Sequence, residues 1–130
     1  MKKVFLGGTC NGSLWRESLI PLLTIDYFNP VVPNWTPECQ VEEVKQRETC
    51  DFCLYVLTPK MTGVYSVAEV ADDSNKRSEK TILVYLEKDV EATFTPHQLK
   101  SIVQTGKLVV KNGAKCFATL EEVAEYLNSN

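Results

Sequence analysis

The chain has 130 residues, of which 44% are hydrophobic, with a formal net charge of −3 and a sequence pI near 5.2. That length and apolar content suit a single globular domain over residues 1–130, able to bury a core without help from metal or disulfides. The 14 Lys and Arg are scattered, which leaves no electrostatic footprint for a nucleic-acid polymer, and no apolar run is long enough to cross a membrane.

The start, Met1-Lys2-Lys3-Val4-Phe5-Leu6, has the charge order of a secretory leader, but Gly7, Gly8 and Asn11 cut the apolar run short. Five cysteines, an odd number spread through apolar segments, fit a reduced protein better than a disulfide scaffold, so a cytoplasmic location is expected.

In chain order, residues 2–8 read as a first strand stopped by two glycines. Ser13 is placed to cap a helix carrying Leu14, Leu19, Ile20, Leu22 and Leu23, which Pro21 must kink or shorten. Residues 24–29 follow as a second strand. Thr36 with Pro37 is a strong helix start, and that helix runs to about Thr49. Residues 51–57 are a near-continuous apolar run, as expected of a strand covered on both faces. After a loop over residues 58–65, Ser66 opens a helix to about Ser74 whose inward stripe is Val67, Val70, Ala71 and Ser74. Residues 80–86 form a fourth strand. Thr95-Pro96 starts a helix with Leu99, Ile102 and Val103 inward, and its continuation past Gly106 stays open. Residues 115–118 suit a short last strand, and Thr119-Leu120-Glu121-Glu122 is a capping box opening a final helix with Val123, Ala124 and Leu127 inward.

Strands alternating with helices, with no hairpin signal between them, imply right-handed crossovers and an α/β, doubly wound, parallel sheet of about five strands. In such sheets ligands settle beyond the carboxyl ends of the strands, which directs attention to the loops after the first and third.

Gly7-Gly8-Thr9-Cys10-Asn11-Gly12-Ser13 is neither a dinucleotide fingerprint nor a P-loop. It is either a tight turn or a place where bare backbone meets a ligand. Glu69 also has two readings. Ser66-Val67-Ala68-Glu69 is a capping box in which the glutamate tidies its own helix end, and a wheel puts it beside Asp72 and Asp73 on a polar face. Alternatively, as a first-turn residue next to a strand end, it leans into the crevice and is the reactive group. Glu42 and Glu43 lie on the preceding helix. Cys50-Asp51-Phe52-Cys53 has redox spacing but leads into a strand, so it reads as buried thiols. His97, the single histidine, sits far along the chain from every other candidate, leaving triad or His-ligand metal chemistry unsupported. Trp15, Trp35, Tyr27 and Tyr65 can stack on a base or sugar, although aromatics more often serve the core.

Val4-Phe5-Leu6-Gly7-Gly8 with Trp15-Arg16, Phe28-Asn29-Pro30, Trp35-Thr36-Pro37-Glu38 and above all Thr58-Pro59-Lys60-Met61-Thr62-Gly63-Val64-Tyr65-Ser66-Val67-Ala68-Glu69 resemble the nucleoside 2-deoxyribosyltransferase-like family over about residues 3–88. The resemblance implies a flavodoxin-like fold with helices on both faces and a glutamate nucleophile at Glu69. That group would attack the anomeric carbon of a 2′-deoxynucleoside and form a deoxyribosyl-enzyme, resolved by a second base or by water. It further implies substrate contacts from Gly7, Gly8, Thr9, Asn29, Glu43, Thr62, Gly63 and Tyr65, a small nucleoside or nucleotide as ligand, and a homo-oligomer; no cofactor or metal is expected. Some members carry an aspartate before the catalytic glutamate to handle the base proton. Residues 60–66 contain no carboxylate here, which favours hydrolysis or, alternatively, a non-catalytic nucleotide-binding or sensor module.

Overall fold

The computed structural model describes residues 1–10 and 12–130; Asn11, which the sequence places in the glycine loop, lies outside the described residues. The elements in chain order are β1 (Lys3–Gly8), α1 (Trp15–Leu19), β2 (Asp26–Phe28), α2 (Pro37–Thr49), β3 (Phe52–Leu57), α3 (Tyr65–Lys76), β4 (Thr81–Tyr85), β5 (Lys88–Asp89), β6 (Ala92–Thr93), α4 (Pro96–Lys111), β7 (Lys115–Phe117) and α5 (Leu120–Ser129). Five strands build one parallel sheet in the order β2-β1-β3-β4-β7. This is the flavodoxin-like arrangement, with its topological switch point between β1 and β3.

The apolar runs are continuous because both faces of the sheet are covered. Val4, Leu6, Phe52, Leu54, Val56, Ile82 and Val84 pack with Trp15 and Leu19 of α1 and with Val123, Ala124 and Leu127 of α5. The alternate residues Phe5, Cys53, Tyr55, Leu57 and Leu83 pack on the opposite face with Val70 of α3 and with Ile102 and Val109 of α4. All six residues of β3 are buried, as expected of the strand at the centre of the order.

Local rules account for several boundaries. Pro21 sits in a 3-10 turn, Ile20–Leu22, that ends α1 after Leu19. Thr95 Oγ1 accepts from the Gln98 backbone N–H at 3.1 Å, and the Gln98 side chain accepts from the Thr95 N–H at 2.9 Å. Thr119 Oγ1 caps α5 by accepting from the Glu122 N–H at 3.1 Å. Helix α4 continues through Gly106 to Lys111, and a Cβ at Gly106 would stand 3.3 Å from the Tyr85 ring.

Other expectations are corrected. Ser13 does not cap α1, whose N-cap is Leu14 without a side-chain cap bond; the Ser13 hydroxyl donates to Asp89 instead. The second strand is only Asp26–Phe28. Helix α3 begins one residue earlier, at Tyr65, and runs on to Lys76. Its buried residues are Glu69, Val70, Asp73 and Ser74, with Val67 and Ala71 only partly covered, so the inward face is rotated toward the two carboxylates. The sequence shows no hairpin signal, yet β5 and β6 pair antiparallel across Val90 and Glu91.

That turn holds Val90 at φ +57°. A two-residue turn with positive φ at its first central position ordinarily carries glycine, because a β-branched side chain there crowds its own backbone. Relief of about 1–2 kcal/mol of strain, set against the entropy glycine adds to the unfolded chain, predicts that Val90→Gly stabilises the protein by about 0.5–1 kcal/mol, measured by urea unfolding.

Candidate active site

A cavity of about 370 Å³ opens at the carboxyl ends of β1 and β3, at the switch point. Its volume lies within the range of small-molecule sites. One wall is the glycine loop, Gly7, Gly8, Thr9 and Cys10, backed by Arg16. A second is the segment before α2, with Pro30, Val31, Val32 and Trp35. Met61, Gly63, Tyr65 and Ser66 close a third side, and Glu43 and Glu69 supply the carboxylates.

The two strand-end glycines have a reason inside the sheet. Gly8 holds φ +122°, and a Cβ there would lie on the Val56 carbonyl, while a Cβ at Gly7 would meet the Tyr55 ring at 2.6 Å. Close packing of β1 on β3 therefore demands glycine at both positions, and the bare backbone that results also faces the cavity. Thr9 is buried, and its hydroxyl accepts from the Thr58 backbone N–H at 2.9 Å, tying the ends of the two strands together. Arg16, 4% exposed, donates to the carbonyls of Leu6 and Thr9 beneath the loop. Burial lowers its pKa to about 10, which keeps it cationic at neutral pH.

Glu69 does not close a capping box. The N-cap of α3 is Val64 with no side-chain cap bond, and the Glu69 carboxylate lies instead 3.6 Å from the Arg47 guanidinium, with the residue 8% exposed. Burial raises its pKa from 4.5 to about 7; Arg47 opposes the rise, and the negative charges of Glu43 and Asp73 add to it. Glu69 is thus a buried carboxyl at the cavity wall whose pKa is raised toward neutral pH.

Arg47, the partner of Glu69, is the residue that sequence reasoning missed. It donates from Nε to Asp73 Oδ2 at 3.2 Å, and from NH2 to Asp73 Oδ1 at 2.9 Å and to Asp72 at 3.2 Å. Asp73 is fully buried and also accepts from the Tyr55 hydroxyl and from Arg77. Burial favours neutral Arg47, but its bonds to Asp73 and the nearby charges outweigh that and hold its pKa above the ordinary value. The signal was available: Glu43 and Arg47 are one helical turn apart and share a face, and that face points to α3.

Of the other expected contacts, Glu43 borders the cavity and accepts from Trp35 Nε1 at 3.1 Å. Gly63 and Tyr65 border it too. Asn29 and Thr62 are exposed and lie outside its lining. Asn29 shapes the loop, its side-chain oxygen accepting from the Val31 N–H at 3.1 Å. Cys50 and Cys53 are buried free thiols, and burial pushes Cys53 up to about 12. His97 lies on α4, outside the cavity lining.

The family model for nucleoside 2-deoxyribosyltransferase-like proteins matches residues 1–90. The chain belongs to this family. The match takes in every element that borders the cavity, from β1 to α3, and ends at the Val90 turn, so α4, β7 and α5 lie beyond the family's matched region. No curated protein matches the chain.

Two outcomes follow from the electrostatics. Arg47→Met leaves buried Asp73 with one cation fewer and should destabilise the fold by about 3 kcal/mol, measured by denaturant unfolding. Because the Glu69 pKa is raised on folding, the folded state holds that proton more tightly than the unfolded chain between pH 4.5 and about 7. The stability of the wild type relative to Glu69→Gln should therefore fall as pH rises through that window, measured as the difference in unfolding free energy at each pH.

Proposed function

We propose that the protein cleaves the N-glycosidic bond of a 2′-deoxynucleoside or 2′-deoxynucleotide, with Glu69 as nucleophile and water as the acceptor. The observation that carries this reading is the position of Glu69: it is buried at the cavity wall against Arg47 and does not bond back to its own helix end. Membership of the nucleoside 2-deoxyribosyltransferase-like family supports this class of reaction.

In the proposed step one ionised Glu69 oxygen bonds to C1′ as the C1′–N bond breaks. The bonding pair leaves on the base nitrogen, which takes a proton from solvent. Water then opens the resulting ester, restoring the carboxylate and releasing the sugar. The transition state is oxocarbenium-like, so a carboxylate beneath the ring both stabilises the charge and captures it, as in retaining glycosidases. A sugar without its 2′-hydroxyl forms that cation more readily, which suits so sparse a site. Water is favoured over a second base because residues 60–66 carry no carboxylate to manage a base proton.

In this reading Glu43 orients the sugar, the glycine loop with Thr9 lies along it, and Trp35 and Tyr65, 58% and 61% exposed at the rim, cover the base. The exposed apolar residues beside them, Val31, Val32 and Val64, support a homo-oligomer in which a second copy covers the mouth.

The test is incubation with each 2′-deoxynucleoside and its 5′-monophosphate, with and without a second free base, followed by chromatography. Free base should appear with the wild type and be lost at least about a hundredfold in Glu69→Ala. Ligand binding unchanged in Glu69→Ala, with no product from either protein, would establish a binding module instead. Because Glu69 acts ionised, kcat/KM should fall by about tenfold per unit as pH drops below about 7 and level off above it.

A further inference from the structure

The hairpin formed by β5 and β6 is tied to the candidate site by one side chain. Asp89 Oδ2 accepts from Ser13 Oγ at 2.6 Å and from Thr58 Oγ1 at 2.7 Å. Ser13 ends the glycine loop, and Thr58 is the first residue after β3, so this single oxygen bridges the two loops that form facing walls of the cavity. Both bonds are charge-assisted and short, the strong kind. They are also shielded, because Thr58 is fully buried and the Asp89 side chain is 12% exposed.

The bridge continues inward. The Thr58 backbone N–H donates to Thr9 Oγ1, Thr58 Oγ1 accepts from the Lys60 N–H at 3.2 Å, and Lys60 Nζ reaches the Gly12 carbonyl at 3.4 Å and Asp89 Oδ1 at 4.0 Å. Thr9 itself borders the cavity. A second observation concerns the hairpin, whose turn keeps Val90 in a left-handed conformation. A strained turn persists only where surrounding contacts over-determine it, and the bonds of the adjacent Asp89 are contacts of that kind.

We infer that Asp89 is a positioning residue for the reaction: it sets the spacing between the glycine loop and the loop before α3, and so the placement of the sugar against Glu69. Asp89 does not border the cavity and acts through Ser13, Thr58 and Thr9. This inference rests on the proposed glycosidase reading for its kinetic consequence, but not for its structural one.

The two are separable because the loop carries its own reporter. Trp15 is buried and donates from Nε1 to the Thr9 carbonyl at 2.7 Å, and Trp35 is the only other tryptophan in the sequence. In a Trp35→Phe background, acrylamide quenching therefore reads Trp15 alone.

Asp89→Ala in that background should raise the quenching constant by about twofold or more as the loop loosens. With both tryptophans present, Asp89→Ala should lower kcat/KM for base release by about tenfold or more, chiefly through kcat, while Asp89→Asn, which keeps an acceptor oxygen, stays within about threefold of the wild type. Ser13→Ala removes one of the two bonds from the other side and should move both readouts the same way, which covers the case in which Asp89→Ala fails to fold. Unchanged Trp15 quenching in Ser13→Ala and Asp89→Ala, or equal damage from Asp89→Asn and Asp89→Ala, would overturn the inference. If the wild type releases no base, the glycosidase reading fails, and the quenching comparison alone decides whether Asp89 holds the two loops.

Discussion

The ion cluster of Arg47 with Asp73 holds the candidate site together. Helix α2 has one buried residue, and it is this arginine; Val41 and Val44 on the same helix face solvent. Where most helices of the fold dock by an apolar stripe, α2 docks by a guanidinium that reaches across to the carboxylates of α3. Two ions taken out of water in this way repay their desolvation only when every donor and acceptor finds a partner. Tyr55, from the floor of the sheet, and Arg77, from the end of α3, complete the set around Asp73. Cys53 adds a bond to the Arg47 carbonyl at 3.1 Å. The position of Glu43, and of Trp35 bonded to it, depends on where α2 sits, so this part of the cavity wall is held by charge.

The same cluster governs the chemistry open to Glu69. Burial favours the neutral acid, Glu43 and Asp73 push in the same direction, and only Arg47 favours ionisation. Because Arg47 is shared with Asp73 at closer range than with Glu69, its pull on Glu69 is partial, and the acid ends near neutrality instead of deep in the ionised range. A guanidinium committed wholly to Glu69 would hold that carboxylate more firmly in its ionised form.

The sheet was legible in the sequence because its signals are local. Residues 51–57 are apolar throughout since both faces of β3 are covered, and Thr36-Pro37, Thr95-Pro96 and Thr119 mark helix starts by chemistry that needs no distant partner. What the residues hid is what depends on tertiary partners. Ser66 and Glu69 have the spacing of a capping box, yet tertiary burial takes the glutamate toward Arg47 and the helix opens at Tyr65. Asp73 reads as a solvated residue until Arg47, Arg77 and Tyr55, far apart in the chain, converge on it. The hairpin at Val90 lacks the glycine that ordinarily announces such a turn. Gly7 and Gly8 were visible, but the Val56 backbone and the Tyr55 ring that demand them were not.

The sheet ends on both sides in strands of three residues, Asp26–Phe28 and Lys115–Phe117. Strands so short offer a newcomer few unpaired amides, which blunts the tendency of open borders to recruit further chains and seed fibrils. Any assembly of this molecule is thereby steered away from side-by-side β continuation, toward contacts between side chains on its helices and loops.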